Sequence, residues 1–142
     1  MALVTKIQKN TQQKLKNVVF SDFFSNLNLQ PVKNDLLKHE NEESVKRSIK
    51  NILLTNRGER VYNPLFGSDL NKMLFENFTP ANDQIVADLI KNAVNNFEPR
   101  ANIIEILVTS DIDLNSLYVT IIFSVINKSE PITLDLVLNR IR

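Results

Sequence analysis

The chain contains no cysteine and no tryptophan, a single histidine and only two glycines. Without cysteine there is no disulfide, no thiolate nucleophile and no thiolate-ligated zinc. His39 by itself makes no case for a histidine-based metal site or for a Ser-His-Asp set. The glycine patterns that cradle phosphates or dinucleotides are missing, and no cofactor or metal is expected. No apolar run approaches the ~20 residues of a membrane-spanning helix. The first residues, MALVTKIQKNTQQKLKN, lack the apolar segment of a secretory leader. An excess of charge is missing too. Seventeen Lys and Arg against 16 Asp and Glu leave a formal net charge of +1. That total argues for neither nucleic acid nor an anionic membrane as a partner. The expected setting is a cytoplasm, or a particle assembled in one.

What is present suffices for one domain: 142 residues, 43% of them hydrophobic, around one core. Residues 1–17 are polar, with Lys6, Lys9, Lys14 and Lys16 and no sustained period. They read as an arm outside the domain of residues 18–142, either a solvated tail or a segment that orders on a partner. Val18 to Phe20 with Phe23-Phe24 reads as a short strand. Asn26 to Asn34 reads as an extended crossing, kept from a central strand position by Pro31. Asp35 to Glu40 reads as one helical turn.

The stretch from Ser44 to Phe78 organises the rest. Asn41 is placed to cap a helix, with Glu42 and Glu43 favoured by its dipole. Val45, Ile49, Ile52 and Leu53 recur on one helical face. Lys46, Arg47 and Lys50 lie off it, as a solvated face does. The helix is expected to stop near Thr55-Asn56, with Gly58 as its left-handed stop. Val61-Tyr62 then reads as extended, and Asn63-Pro64 and Gly67 as turns. Ser68 is expected to cap a second helix carrying Leu70, Met73, Leu74 and Phe78. Thr79-Pro80 opens a third, with Ile85, Val86, Leu89, Ile90, Ala93, Val94 and Phe97 as a wide apolar stripe, ended by Pro99.

From Asn102 the period changes to two. Ile104, Ile106 and Val108 define one strand. Val119, Ile121, Phe123 and Val125 define a second. Ile132, Leu134, Leu136 and Leu138 define a third. Links of about 5–7 residues make an antiparallel meander, and helices followed by strands make the fold class α+β.

Candidate chemistry is thin. Asp111-Ile112-Asp113-Leu114-Asn115 begins like a calcium-binding loop. Ser116 and Ile122 then stand where Gly and a bidentate Glu are required, so a polar hairpin loop is the reading. Glu59 and Glu98 are the carboxylates nearest to singular features, but each has an Arg beside it. Ion pairing lowers a carboxyl pKa, the wrong direction for the general acid of a glycosidase. Glu98-Pro99-Arg100 leaves two readings open. One is a helix stop whose charges pair internally. The other is a rigid presenter of an acid and a base to a neighbouring protein, in which Arg100→Ala leaves the free fold within about 0.5 kcal/mol.

Several segments together resemble the contractile-tail baseplate wedge family of T-even type phages, the sheath-initiator proteins often called lysozyme-like. The type VI secretion component TssE is a related member. The matching residues are Ser44 to Thr55, then Gly58-Glu59-Arg60, Pro64, Phe66-Gly67-Ser68, Leu70 and Leu74-Phe75-Glu76. Glu98-Pro99-Arg100 matches the family's Glu-Pro-Arg motif, and the likeness spans roughly residues 20–140. It implies a structural part of an inner baseplate in a virion tail. It implies that Glu98, Pro99 and Arg100 bind the helical core bundle of the wedge, and that the sheet templates the first ring of sheath protein. Tube or hub proteins are further implied partners. The residues themselves lend the lysozyme name no support. A peptidoglycan-cleaving tail lysozyme is the rival of another class. A secretion-system or tailocin part with the same mechanics is the third reading.

The last strand adds one expectation. Ile132 to Leu138 closes a meander, so it falls at a sheet edge unless residues 18–32 cover it. Pro131 only opens it, and Asp135 is its one charge. Such an edge suits extension by a strand from another chain, with Ile132, Leu134, Leu136 and Leu138 as the contacting segment.

Overall fold

The structure, a computed structural model, describes residues 19–31, 34–76, 79–111, 115–126, 128 and 130–140. The arm at 1–17, Phe78 and the centre of the loop at 112–114 lie outside the described residues. In chain order the elements are β1 (Ser21–Phe23), β2 (Leu29–Gln30), β3 (Asp35–Leu36), β4 (Lys38–Glu40), α1 (Glu42–Leu54), α2 (Leu70–Met73), α3 (Pro80–Phe97), β5 (Ala101–Asp111), β6 (Ser116–Val125) and β7 (Ile132–Asn139). The class is α+β, as the change of period required.

The expected meander is there. β5, β6 and β7 form one antiparallel sheet in that order. Leu117, Val119, Ile121, Phe123 and Val125 of β6 are all buried, with Leu136 and Leu138 beside them from β7. α3 packs on β5 and on α1, and α1 reaches β7. Val45, Ile49, Ile52 and Leu53 of α1 and Val86, Ile90, Ala93 and Val94 of α3 complete the core. The stripe on α3 is narrower than the sequence suggested, because Ile85 is exposed.

β5 departs from simple alternation. Ile103 lies opposite Phe123, but Glu105 lies opposite Ile122, so Ile104 is the extra residue of a bulge. The bulge shifts register by one. Ile103, Ile106 and Val108 pack against the core, while Ile104 is 57% exposed.

The N-terminal region is more strand-like than the sequence suggested. Residues 35–40 are not a helical turn. β3 pairs with β2, and β4 pairs with β1. The left-handed Asn34 donates its N–H to the Gln30 carbonyl and turns the chain between β2 and β3. His39 stacks on Phe24 at 3.6 Å between ring centroids. Asn41 is no side-chain cap either. It is left-handed, and its Oδ1 accepts the backbone N–H groups of Val19 at 2.8 Å and Phe20 at 3.4 Å. It ties the start of the domain to the start of α1.

Between α1 and α3 the chain is mostly turns. α1 ends when Thr55 becomes extended, three residues before Gly58, so Gly58 is not its stop. Val61-Tyr62 is a turn, not an extended segment. Ser68 does not cap α2. Asp69 holds that position, and the Ser68 hydroxyl donates to the Leu53 carbonyl at 2.7 Å. α2 is a single turn that ends at Met73. Thr79 caps α3 as expected, with its hydroxyl accepting from the Asn82 N–H and Pro80 following it.

Candidate functional site

Glu98 is the C-cap of α3, and Pro99 carries the chain from there into β5. The carboxylate of Glu98 is turned inward and is only 2% exposed. Arg100 grips it from two sides, with Nε 2.6 Å from Oε1 and one terminal nitrogen 2.7 Å from Oε2. The Arg100 backbone N–H also donates to Oε1, at 3.3 Å, and the hydroxyl of Ser48 on α1 adds a bond. Burial pushes the Glu98 pKa up. The hydrogen bonds and charge of Arg100, with Ser48, outweigh it and hold the carboxyl below its ordinary 4.5. The same bonds raise the pKa of Arg100.

The pair belongs to a wider network. Arg100 lies 3.7 Å from Asp22 and 5.3 Å from the centre of the Phe20 ring. Ser44 of α1 donates to the same Asp22 carboxylate. Glu98 and Arg100 thus fasten three segments: the N-terminal hairpin, α1 and the α3–β5 turn. Arg100 remains 28% exposed and Pro99 is exposed, so these two form the outward side of the turn. Sequence reasoning found Glu98 and Arg100 but missed Asp22, Ser44 and Ser48. Ser44 and Ser48 stand four apart on a polar stripe of α1, a spacing that points both hydroxyls one way.

Among the described residues, β7 pairs with β6 alone, from Phe123–Ile132 to Ser116–Asn139. Residues 19–31 do not lengthen this sheet, since their strands pair with β3 and β4. The side chains of Ile132, Leu134, Leu136 and Leu138 face the core, so the outer edge of β7 offers backbone rather than those side chains. Asp135 is engaged across the sheet by the Thr120 hydroxyl at 2.8 Å. A groove of about 160 Å³ runs between Leu134 and α1, lined by His39, Glu43, Lys46, Arg47 and Lys50. The edge therefore has a basic flank.

The segment from Thr55 to Asp69 is locked. Gly67 has φ +109°, and a Cβ there would sit 2.3 Å from the Thr55 carbonyl oxygen. That approach lets the Ser68 N–H donate to the same oxygen at 2.9 Å. Gly58 turns the chain at φ +86° and donates its N–H to the Pro64 carbonyl at 2.8 Å. Glu59 does not pair with Arg57 or Arg60. Its carboxylate accepts the Asn56 N–H at 2.9 Å, as a turn cap. Arg57 lies 3.5 Å from Asp69, and Arg60 lies over the Phe66 ring at 3.8 Å.

The two carboxylates considered for acid–base work therefore serve structure. One is buried and held ionised, and the other caps a turn. What stands at the surface is a strand edge, a rigid turn and a locked loop.

The fold has known likenesses. It superposes on a proposed tail lysozyme from Geobacter sulfurreducens with a TM-score of 0.65 at 24% identity, covering 71% of this chain and 92% of that one. It matches a chain of the anti-feeding prophage baseplate with a TM-score of 0.60 at 18% identity, covering 83% of each. The fold is thus one that occurs in the anti-feeding prophage baseplate.

The sequence carries the assignment further. Residues 39–130 match the family model described as "Baseplate wedge protein gp25". The baseplate wedge protein gp25 of Enterobacteria phage T4 is 33% identical over 132 residues, which is 93% of this chain and 90% of that protein. The chain belongs to the baseplate wedge protein gp25 family, and it is a structural baseplate component of a contractile tail.

Proposed function

We propose that this chain joins the inner wedge without catalysing a reaction, docking by one face and starting the tail sheath from another. It assembles with other baseplate proteins. The outward side of the turn, Pro99 and Arg100, rests on the helical core bundle of the wedge. The outer edge of β7 receives a strand from the first ring of sheath protein, and tube or hub proteins lie next to it. Assembly takes place in the host cytoplasm, and the product is the virion baseplate.

The observation that carries this reading is the outer edge of β7, a full-length strand at the rim of the sheet that, among the described residues, pairs with β6 alone. Natural edges are usually blocked by charge, proline or bulges, and an open one is a template for another chain. A tail lysozyme gains no comparable support. Its general acid needs a carboxyl held protonated near neutral pH, and Arg100 does the opposite to Glu98.

Proline substitution tests the edge. Neighbouring residues of an antiparallel ladder direct their N–H groups to opposite sides. Of Leu136→Pro and Val137→Pro, one therefore removes an N–H from the open edge and the other removes a bond to β6. The variant that keeps its fold, by circular dichroism and melting, is expected to enter baseplates yet fail to nucleate sheath. If the variant that keeps its fold nucleates sheath of normal length, strand addition at β7 is wrong.

A further inference from the structure

Three large apolar side chains stand almost wholly in solvent on the locked loop: Val61 at 89%, Tyr62 at 102% and Leu65 at 74% exposure. Such exposure in one five-residue span is costly unless something covers it. The loop is not a floppy tip. Its base is closed by the Gly58–Pro64 backbone bond, its far side by Phe66 N–H to the Asn63 carbonyl, and its interior by Asn63 N–H to the Arg60 carbonyl. Gly67 pins its exit against Thr55. A rigid display of this kind loses little conformational freedom on binding.

The charge beside it says what covers it. Arg60 sits on the ring of Phe66 and, among the described residues, meets no carboxylate, whereas its neighbour Arg57 is paired with Asp69. We infer that Arg60 to Leu65 is a plug. Tyr62, with Val61 and Leu65, fills an apolar socket on a different protein of the baseplate, and a carboxylate on the socket rim pairs with Arg60. A second copy of this chain fits less well. A twofold contact through this loop brings Arg60 against Arg60. The inference rests on the reading that the chain assembles with other baseplate proteins.

The test uses the full chain in assembling wedges. A photo-crosslinking phenylalanine derivative replaces Tyr62, and the captured peptide is sequenced. Expected is a peptide of another baseplate protein with apolar residues and at least one Asp or Glu. Capture of a second copy, of a peptide without an acid, or of nothing in complete baseplates overturns the inference. In parallel, Tyr62→Ser with Leu65→Ser is expected to leave melting unchanged and to lower wedge incorporation by about tenfold or more. Arg60→Glu is expected to act likewise and Arg60→Lys to act less. If wild-type protein enters wedges and these variants enter equally well, the plug is wrong while the assembly reading stands. If wild-type protein itself stays out of wedges, the assembly reading fails.

Discussion

Replacing Arg100 by alanine tests the central ion pair most directly. The variant leaves the Glu98 carboxylate in its 2% exposed position with the Ser48 hydroxyl as its remaining side-chain partner. Removing one partner of a fully enclosed pair costs about 3–5 kcal/mol. Arg100 is itself 28% exposed, so water reaches the vacated space and brings the expected loss to about 2–4 kcal/mol. Loss of the Asp22 contact adds ~0–1 kcal/mol, since that side chain is 48% exposed. For a chain of this size a melting temperature lower by roughly 10 °C is expected. This reverses the outcome that the presenter reading of the motif implied, because that reading assumed two solvated charges.

The loss should depend on pH in a definite direction. In the intact protein Glu98 titrates below its ordinary 4.5. Its contribution is therefore fully present above that value and fades as pH falls through the lowered one. In Arg100→Ala, burial acts with little opposition and the carboxyl pKa moves up. The variant then suffers most at neutral pH and recovers as the group takes a proton. Urea denaturation of both proteins at about pH 7 and about pH 4 should show the gap closing. Adding Glu98→Gln to Arg100→Ala should return at least about 1 kcal/mol at neutral pH, because an amide needs no countercharge. A loss under about 0.5 kcal/mol at neutral pH, or a gap unchanged in acid, refutes the reasoning.

Two further outcomes follow from the same geometry. Gly67→Ala should cost more than ~2 kcal/mol in urea denaturation, from left-handed strain plus the clash with Thr55, whereas Gly58→Ala, with open space around it, should cost only ~1–2 kcal/mol; equal losses would contradict the packing argument. Purified protein should not hydrolyse peptidoglycan, and turnover that vanishes with Glu98→Gln or Glu59→Gln would overturn the structural roles given to both carboxylates.

The sequence was most legible where one local rule had no competitor. The faces of α1 and β6 were read correctly because a long period is a strong signal. Thr79-Pro80 was read correctly because a cap followed by proline admits few alternatives. Failures came where a distant segment decided. Asn41 looks like a cap by position, but the N–H groups of Val19 and Phe20 compete for its oxygen and win. Leu36-Leu37 is too short to favour a helix, and pairing with β2 makes Asp35-Leu36 a strand instead. The bulge at Ile104 is invisible to a period-two template, since both registers place an isoleucine inward until Phe123 selects Ile103.

The Glu98-Pro99-Arg100 motif shows why neither sequence reading sufficed alone. Spacing could not say which charge is buried, because that depends on Ser48 and Asp22, 50 and 76 residues upstream of Glu98. Once the pair is seen, the two readings stop being rivals. An internal ion pair at a helix end fixes the angle at which α3 hands over to β5, and so fixes the direction of Pro99. A surface held in one geometry binds without losing much entropy on docking. Under the proposed docking role, the buried acid acts on a partner only through the Arg100 and Pro99 it positions. On this argument, substitutions at Glu98 affect wedge docking in step with stability, while those at Pro99 separate the two.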